Sequence, residues 1–197
     1  MIKNIIINNL MNLITSNTNF NKVKIQEIKY GLEAIYGNVS KFTVFFIVNF
    51  LIGNFLNAFL FFIFYVPIKS FGWGFHAKTS LQCWILSVIG FIGFPLLTNH
   101  FYFDFYSKFI LCITFLLAMW CWAPADTPKR PLINPKIRKR LQFSAVLTTI
   151  IYSFLVFNTE LTNTILLVLL FQTFLINPFT YIAFNTQYNN YLYYKKI

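Results

Sequence analysis

A 27-residue, mostly apolar run from Phe42 to Ile68 constrains the fold of this chain most. A helix needs about 20 such residues to cross the hydrocarbon core of a bilayer. The chain as a whole is 57% hydrophobic and 11% charged, whereas soluble domains contain about 25% charged residues. Its 26 phenylalanines are more than a soluble core of this size can bury. We therefore predict an all-α integral membrane protein, a polytopic bundle of about five or six membrane segments.

Further apolar runs follow the first, and polar or proline-containing stretches separate them. Three asparagines and a glycine lie inside the first run, and amide groups are costly in lipid unless they are hydrogen-bonded. The first run could therefore cross once, with its amides facing other helices, or form a broken or re-entrant pair of short helices. The further predicted segments are Ser80–Leu97, Phe109–Ala123 with an alternative start near Phe105, Leu141–Phe157 and Thr164–Phe184.

The N-terminal region has a different pattern. Residues 1–18 and 22–36 place apolar and polar side chains on opposite helical faces, as amphipathic helices at a membrane surface do. Gly37-Asn38 predicts a break before the first apolar run. We expect a single membrane domain over 1–197. Its parts are amphipathic helices in 1–41, a transmembrane bundle in 42–184 and a tail in 185–197.

The charge distribution predicts the orientation of the bundle. The formal net charge is +11, and the basic residues cluster between apolar runs. Residues 124–140 contain six Lys or Arg and four prolines, which favours a cytoplasmic loop rather than a nucleic-acid-binding surface. This orientation puts the stretch 70–83 on the cytoplasmic side as well. The basic segment 22–41 would then lie outside if Phe42–Ile68 crosses once, and a hairpin there would remove this conflict with the charge rule.

The stretch 70–83, a glycine-marked break between two apolar runs, carries the candidate chemistry. It contains His76 and, seven residues later, Cys83. A cysteine attacks as its thiolate, and a neighbouring histidine can accept the proton. Seven residues of one straight helix separate two side chains by about 10.5 Å, which is too far for a hydrogen bond. His76 must therefore lie on a folded-back segment, which Gly72 and Gly74 permit, and the N-terminus of the following helix would favour the thiolate.

Each of these residues also has a structural explanation. A lone cysteine on a helix is usually a small packing residue, and a lone loop histidine is usually polar surface. Cys112 and Cys121 are predicted to be packing residues, and the three cysteines lack the spacing of a zinc site or a disulfide framework. No metal or cofactor is therefore expected. His100 is predicted on the opposite side of the membrane from Cys83.

Three segments resemble the accessory gene regulator protein B (AgrB) family. The most specific is Gly-Phe-His76-Ala77, followed by five further residues and Cys83. Residues 123–127 followed by 129–132 resemble the proline-containing basic loop of that family. The N-terminal stretch 29–33 and the order of the apolar runs also agree, so the resemblance covers most of the chain.

The resemblance implies a cysteine endopeptidase of peptide quorum sensing, located in the cell membrane and assembled as a homodimer. Its substrate would be an AgrD-type propeptide, whose acidic C-terminal tail is released as an acyl-enzyme thioester forms and whose Cys or Ser then closes a thiolactone or lactone ring. Cys83 would be the nucleophile and His76 its base. Gln82 could polarise the carbonyl oxygen, and Asp126 could orient His76. The candidate substrate-binding residues are Lys78, Lys129, Arg130, Lys136, Arg138, Lys139 and Arg140.

Two other classes of function are also compatible with the sequence. A small transporter or channel without proteolytic activity, such as a peptide exporter, would explain the intramembrane amides of Asn49, Asn54 and Asn57. A membrane scaffold or sensor subunit would explain the hydropathy alone. Both differ from the peptidase in one respect, because neither class needs Cys83 or His76.

Overall fold

The computed structural model describes residues 2–16, 20–128 and 131–194, and the regular secondary structure within these ranges is helical. Five of the described helical segments are long and apolar enough to cross a membrane. The predicted all-α membrane bundle is thus confirmed. The five segments are Lys22–Leu51, Phe55–Gly72, Ser80–Leu97, Phe105–Trp122 and Pro135–Asn158.

The chain divides into two compact units, and the first of them, Met1–Val48, contains the N-terminal amphipathic region. Helix α1 spans Ile2–Thr15, and helix α2 spans Lys22–Leu51 and ends in the second unit. The Lys3 amine and the Glu33 carboxylate form an exposed ion pair of 3.0 Å between these helices. Such exposed pairs contribute little to stability, about 0–1 kcal/mol. The pair therefore shows that α1 and α2 are neighbours, but it contributes little to the stability of the fold.

The predicted helix break at Gly37-Asn38 is wrong, because α2 continues through both residues. Both residues keep a backbone N–H for the helical hydrogen bonds, and glycine inside a helix costs only about 1 kcal/mol relative to alanine. Each further residue of a growing helix adds one hydrogen bond, so two weak helix formers do not end it.

The first apolar run divides between two helices, as the broken-pair alternative predicted. Helix α2 ends at Leu51, and α3 (Phe55–Gly72) begins after a tight turn. Gly53 in this turn has φ 72°, a left-handed conformation that glycine adopts without strain. The Asn54 N–H donates to the Asn49 carbonyl at 2.7 Å and closes the turn.

A chain of amide hydrogen bonds satisfies the intramembrane asparagines. The Asn57 side chain donates to Asn54 Oδ1 at 2.8 Å, and the Asn54 side chain donates to Asn49 Oδ1 at 3.2 Å. Asn49 Nδ2 in turn donates to the Phe91 carbonyl at 2.8 Å. That carbonyl needs a partner from outside its helix, because Pro95, four residues later, has no N–H to close the helical bond.

Helix α4 (Ser80–Val88), a π-helical turn (Ile89–Gly93) and α5 (Phe94–Leu97) together form the predicted second segment. The π-helical turn contains Gly90, where a Cβ would lie 2.5 Å from the Phe171 ring. The absence of a side chain at this position therefore permits close packing.

Helix α6 (Phe105–Trp122) takes the earlier of its two predicted starts. Asp104 determines that start, because its carboxylate accepts a hydrogen bond from the Tyr106 N–H at 3.2 Å. Such a side-chain acceptor satisfies one of the N–H groups that the first turn of a helix leaves unpaired.

Helix α7 (Pro135–Asn158) begins before its predicted start at Leu141. Asn134 caps it, because Asn134 Oδ1 accepts from the Lys136 N–H at 2.9 Å. Pro135 occupies the first helical position, where its missing N–H costs nothing. The predicted basic loop 124–140 is therefore too long, and the last four of its basic residues lie on α7.

Helix α8 (Thr162–Ile176) is the central helix of the second unit, since α3, α5, α6 and α7 all contact it and most of its side chains are buried. Its 15 residues are fewer than the about 20 that a crossing helix needs. The predicted fifth segment, Thr164–Phe184, is not one helix. Pro178 disfavours a helical residue before it, so Asn177 is extended and a separate helix α9 (Pro178–Ala183) follows.

Replacing Asn49 by leucine should destabilise the bundle, because the Phe91 carbonyl loses its donor and Asn54 loses its acceptor. We expect the free energy of unfolding to fall by about 2–3 kcal/mol. Chemical unfolding in detergent micelles, followed by circular dichroism, measures the change. Asn57→Leu is the matched control, because it removes one bond of the same chain and should cost about 1 kcal/mol. Equal losses for the two variants would contradict the role given to Asn49.

Candidate active site

The motif loop, residues 73–79, connects α3 to α4 and carries His76. Trp73 has φ 55° and Gly74 has φ 116°, so the chain leaves α3 in conformations that residues with a Cβ rarely adopt. A Cβ at Gly74 would also lie 3.0 Å from the Leu175 carbonyl oxygen of α8. Position 74 therefore needs glycine both for its conformation and for its close approach to α8.

The motif loop pairs with the proline-rich connection, residues 123–134, between α6 and α7. The Gly74 N–H donates to the Ala125 carbonyl at 2.8 Å, and the Ala125 N–H donates to the Gly72 carbonyl at 3.1 Å. These two bonds form a short parallel bridge. Non-helical backbone in a membrane protein needs partners of this kind, because lipid offers none.

Helix α8 provides further partners of the motif loop. The Phe75 N–H donates to the Leu175 carbonyl at 2.7 Å. Gln172 is fully buried, and its Nε2 donates to the Trp73 carbonyl at 2.9 Å. Gly72 leaves room for this amide, because a Cβ there would lie 2.7 Å from Gln172 Nε2. Sequence reasoning missed Gln172, since nothing in an apolar run signals a partner 99 positions away.

Phe75 anchors the motif loop through its side chain. Its buried ring stacks on that of Phe184, with centroids 4.7 Å apart, and meets the edge of Tyr181 at 5.8 Å. His76, the next residue, is exposed. His76 is therefore preceded by a residue whose backbone is held by a hydrogen bond to Leu175 and whose ring is packed against Phe184 and Tyr181.

Cys83 lies at the end of the first turn of α4 and is half-buried. The Thr79 hydroxyl caps this helix by accepting from the Gln82 N–H at 3.2 Å. The Cys83 N–H donates to the Thr79 carbonyl at 3.1 Å and closes the first helical hydrogen bond. His76 thus lies on a non-helical segment before the helix of Cys83, and its fold-back toward Cys83 stays a prediction.

Gln82, a predicted supporting residue, and Lys78, a predicted substrate-binding residue, also hold the motif loop to its surroundings. Gln82 Oε1 accepts from the Lys78 N–H at 3.2 Å and from the Thr79 N–H at 3.4 Å, which completes a capping box. The Lys78 amine donates to the Asn185 carbonyl just beyond α9. Both side chains therefore fix the backbone between His76 and Cys83.

Asp126 is fully buried, next to the bridge that Ala125 forms with the motif loop. Its carboxylate accepts three backbone N–H bonds, from Leu132 at 3.1 Å, Asn190 at 2.9 Å and Tyr191 at 2.8 Å. Burial of a charged group is tolerated only with such partners. The loop of Asp126 and the motif loop do meet, through the backbone of Ala125.

The predicted substrate-binding cations other than Lys78 lie in the proline-rich connection or at the start of α7. The guanidinium of Arg138 lies 3.6 Å from the centre of the Tyr191 ring, a cation–π contact. Its buried Nη1 has no hydrogen-bond partner among the described residues. The exposed members of the set are Lys136, Lys139 and Arg140. Lys129 and Arg130 lie outside the described residues, as do Lys195 and Lys196 of the tail.

The remaining histidine and cysteines lie on elements other than the motif loop and α4. His100 belongs to the connection between α5 and α6, and about 21 Å of helical rise, from Cys83 to Leu97, precedes that connection. Cys112 is buried on α6, as predicted for a packing residue. Cys121 is exposed, so the same prediction is wrong for that residue. In the described part of the chain, no group of three or more His, Cys, Asp or Glu side chains is arranged to hold a metal ion.

Gly74→Ala should destabilise the protein by about 1–3 kcal/mol, because the new Cβ is strained by the backbone conformation and approaches the Leu175 carbonyl. Gly31→Ala is the control, since a Cβ at that position in α2 meets nothing within 4 Å. The control should keep or raise the stability by up to about 1 kcal/mol. Thermal unfolding of both variants in the same detergent measures the difference. A Gly74→Ala protein as stable as the parent would contradict the path assigned to the motif loop.

Comparison with known proteins assigns the chain to a family. The family model described as Accessory gene regulator B matches residues 7–176. An AgrB-like protein of Listeria innocua is 32% identical over 171 residues, which cover 84% of this chain and 82% of that protein. An AgrB-like protein of Clostridium acetobutylicum is 29% identical over 172 residues, covering 86% and 82%. No solved structure matches.

A staphylococcal protein extends the similarity. The accessory gene regulator protein B of Staphylococcus aureus is 25% identical over 142 residues, which cover 72% of this chain and 76% of that protein. The matched range includes α4, with the motif loop before it, and the proline-rich connection. The chain described here therefore belongs to the accessory gene regulator B (AgrB) family.

Proposed function

We propose that this AgrB-family protein is a membrane cysteine endopeptidase of peptide quorum sensing, with an AgrD-type propeptide as its substrate. It removes the C-terminal tail of the propeptide and transfers the new acyl end to a Cys or Ser within the same peptide. The product is a cyclic thiolactone or lactone. One observation carries the proposal: Cys83 lies in the first turn of a helix that directly follows an anchored, non-helical loop, and that loop carries His76.

In the first half-reaction Cys83 is the nucleophile and His76 is the base. The imidazole accepts the thiol proton, and the sulfur attacks the scissile carbonyl carbon of the propeptide. A C–S bond forms and the C–N bond breaks, while the departing amine of the tail takes the proton from the imidazole. The enzyme then holds the rest of the peptide as a thioester.

The second half-reaction exchanges one acyl bond for another. A thiol or hydroxyl of the bound peptide gives its proton to the imidazole and attacks the thioester carbonyl. The ring bond forms, the C–S bond to Cys83 breaks, and the cysteine regains its proton. The thioester already stores the activation, so ring closure needs no ATP. Water has to be excluded until the ring has closed, because hydrolysis would give a linear peptide.

The basic start of α7 is the proposed docking surface for the acidic tail. Its exposed cations, Lys136, Lys139 and Arg140, can attract a negatively charged peptide. Lys78, Lys129 and Arg130 belong to the same proposed surface. Polarisation of the scissile carbonyl by Gln82 and orientation of His76 by Asp126 stay predictions.

We also propose that the motif loop lies on the cytoplasmic side of the cell membrane. Hydrogen bonds of Ala125 and Lys78 join the motif loop to the proline-rich connection and to the stretch after α9, so Lys78 lies at the same end of the second unit as the basic start of α7. Basic residues favour the cytoplasmic side. Both α2 and α3 are long and apolar enough to cross a membrane, and two separate crossings would remove the conflict with the charge rule for segment 22–41. The family resemblance further implies a homodimer.

The transporter or channel alternative has less support than it had from sequence. It relied on the intramembrane asparagines, and these are hydrogen-bonded to one another and to the Phe91 carbonyl. Their presence therefore has a structural explanation that needs no transported solute.

The peptidase activity can be tested with the protein reconstituted in liposomes together with a candidate propeptide. Cys83→Ala should abolish release of the tail, and His76→Ala should slow it by about 100-fold or more. Mass spectrometry of the peptide products measures both. The matched control is Cys121→Ala, which removes an exposed thiol and should keep the parent rate. Tail release by Cys83→Ala at the parent rate would rule out the mechanism.

The proposed orientation predicts the accessibility of inserted tags. A tag in the proline-rich connection, after Ile133, should be protected from external protease in intact cells. A tag at Glu160, in the turn between α7 and α8, should be cleaved, because α7 carries the chain to the other side. Cleavage of the first tag and protection of the second would invert the orientation.

A further inference from the structure

The C-terminal segment, residues 177–194, consists of α9, an irregular stretch and a short helix α10 (Tyr191–Tyr194). The family match ends at residue 176, so the family assignment does not cover this segment. It nevertheless contacts the motif loop on both sides of His76.

The contacts involve the residue directly before His76 and the second residue after it. The Phe75 ring stacks on Phe184, and the Lys78 amine donates to the Asn185 carbonyl. The C-terminal segment therefore restricts the backbone that carries the imidazole at two points. Removal of either contact would widen the range of imidazole positions.

Asp126 fastens the C-terminal segment to the rest of the second unit. Its Oδ1 accepts from the Asn190 N–H at 2.9 Å, and its Oδ2 accepts from the Tyr191 N–H at 2.8 Å. Asn190 Nδ2 also donates to the Asp126 backbone carbonyl at 3.3 Å. A second Oδ2 bond, from the Leu132 N–H at 3.1 Å, holds the end of the proline-rich connection to the same carboxylate. A charged acceptor makes these bonds stronger than those of a neutral group.

Ala125, the neighbour of Asp126, passes this restraint to the motif loop. Its carbonyl accepts from the Gly74 N–H at 2.8 Å and from the Tyr181 hydroxyl at 3.3 Å. One carbonyl thus joins the proline-rich connection to both the motif loop and α9. Ala125 is buried and directly precedes Asp126 in the chain. A displacement of Asp126 would therefore also displace the Ala125 carbonyl that accepts from Gly74.

We propose that Asp126 is a positioning residue, which ties the C-terminal segment to the motif loop and so sets the approach of His76 to Cys83. Its effect passes through the backbone of Ala125 and through the C-terminal segment. The proposal rests on the proposed peptidase function, and it assigns a part in that function to residues beyond the family match.

Asp126→Asn is the direct test, made in the full chain reconstituted in liposomes with a propeptide. An amide has one acceptor oxygen, so its NH₂ group would face a backbone N–H donor. We expect kcat for tail release to fall by about tenfold or more, because small misplacements of catalytic groups have large effects on rate. KM should stay within about twofold of the parent, because Asp126 is buried and is not itself part of the proposed docking surface; a purely structural defect would lower the amount of active protein instead.

Tyr181→Phe keeps the ring beside Phe75 and removes only the hydroxyl that donates to Ala125. It tests the proposal if Asp126→Asn does not fold. In that case kcat should fall by about threefold, while the loss of one hydrogen bond should lower the melting temperature by only a few degrees. The matched control is Tyr193→Phe, an exposed tyrosine of the same segment, which should keep the parent kcat.

The outcomes separate the two proposals. If the parent releases the tail and a folded Asp126→Asn variant keeps the parent kcat, the positioning role is wrong and the peptidase function stands. The same conclusion follows if Asp126→Asn does not fold and Tyr181→Phe keeps the parent kcat. A higher KM with unchanged kcat would also overturn the positioning role, because it would indicate a substrate contact. If the parent does not release the tail, both proposals fail.

Discussion

The backbone pairing of Ala125 with Gly72 and Gly74 is the interaction on which the candidate active site depends. A chain that leaves a helix inside a bundle must find new partners for its N–H and C=O groups, because the surrounding apolar side chains and lipid supply none. Here the partners come from the proline-rich connection and from α8. In isolation, a loop that contains glycine could adopt many conformations. These hydrogen bonds restrict it to one conformation next to α8.

The same requirement explains the other buried polar groups of the second unit. Pro95 leaves the Phe91 carbonyl without its helical donor, and Asn49 supplies one. The motif loop leaves the Trp73 carbonyl without a helical donor, and Gln172 supplies one. Each buried amide therefore lies where a helix is interrupted. Asp126 plays the complementary role: it supplies an acceptor instead of a donor. Its carboxylate accepts from the backbone N–H groups of two segments outside the long helices. Burial of these groups stabilises the interruptions that the candidate site needs.

The fold class and most membrane segments follow from the sequence because hydropathy is a local property. Long apolar runs predicted the bundle, and the segment Ser80–Leu97 agrees with its prediction. Helix ends were harder to predict. The predicted break at Gly37-Asn38 is wrong, because weak helix formers alone do not interrupt a helix. In contrast, Pro178 ends a helix within a segment that hydropathy predicted to be continuous. Residues such as Asn134, whose side chain caps α7, determined ends that hydropathy does not register.

The candidate site was only partly predictable. The spacing of His76 and Cys83, together with the family resemblance, led to the motif loop and to the requirement that His76 lie outside the helix. The supports of the loop come from distant parts of the chain: Gln172 is 99 positions from Trp73, and Asn190 is 64 positions from Asp126. No local pattern reveals such pairs, because they depend on how the helices pack.

The central claim is that Cys83 forms a thioester with the propeptide, and intact-protein mass spectrometry tests it most directly. The substrate would be a propeptide whose ring-closing Cys or Ser is replaced by alanine, so that the intermediate accumulates. The account predicts an adduct with the mass of the propeptide without its tail, attached at Cys83 and released by neutral hydroxylamine. Tail release with Cys83 unmodified throughout, or an adduct on another residue, would contradict it.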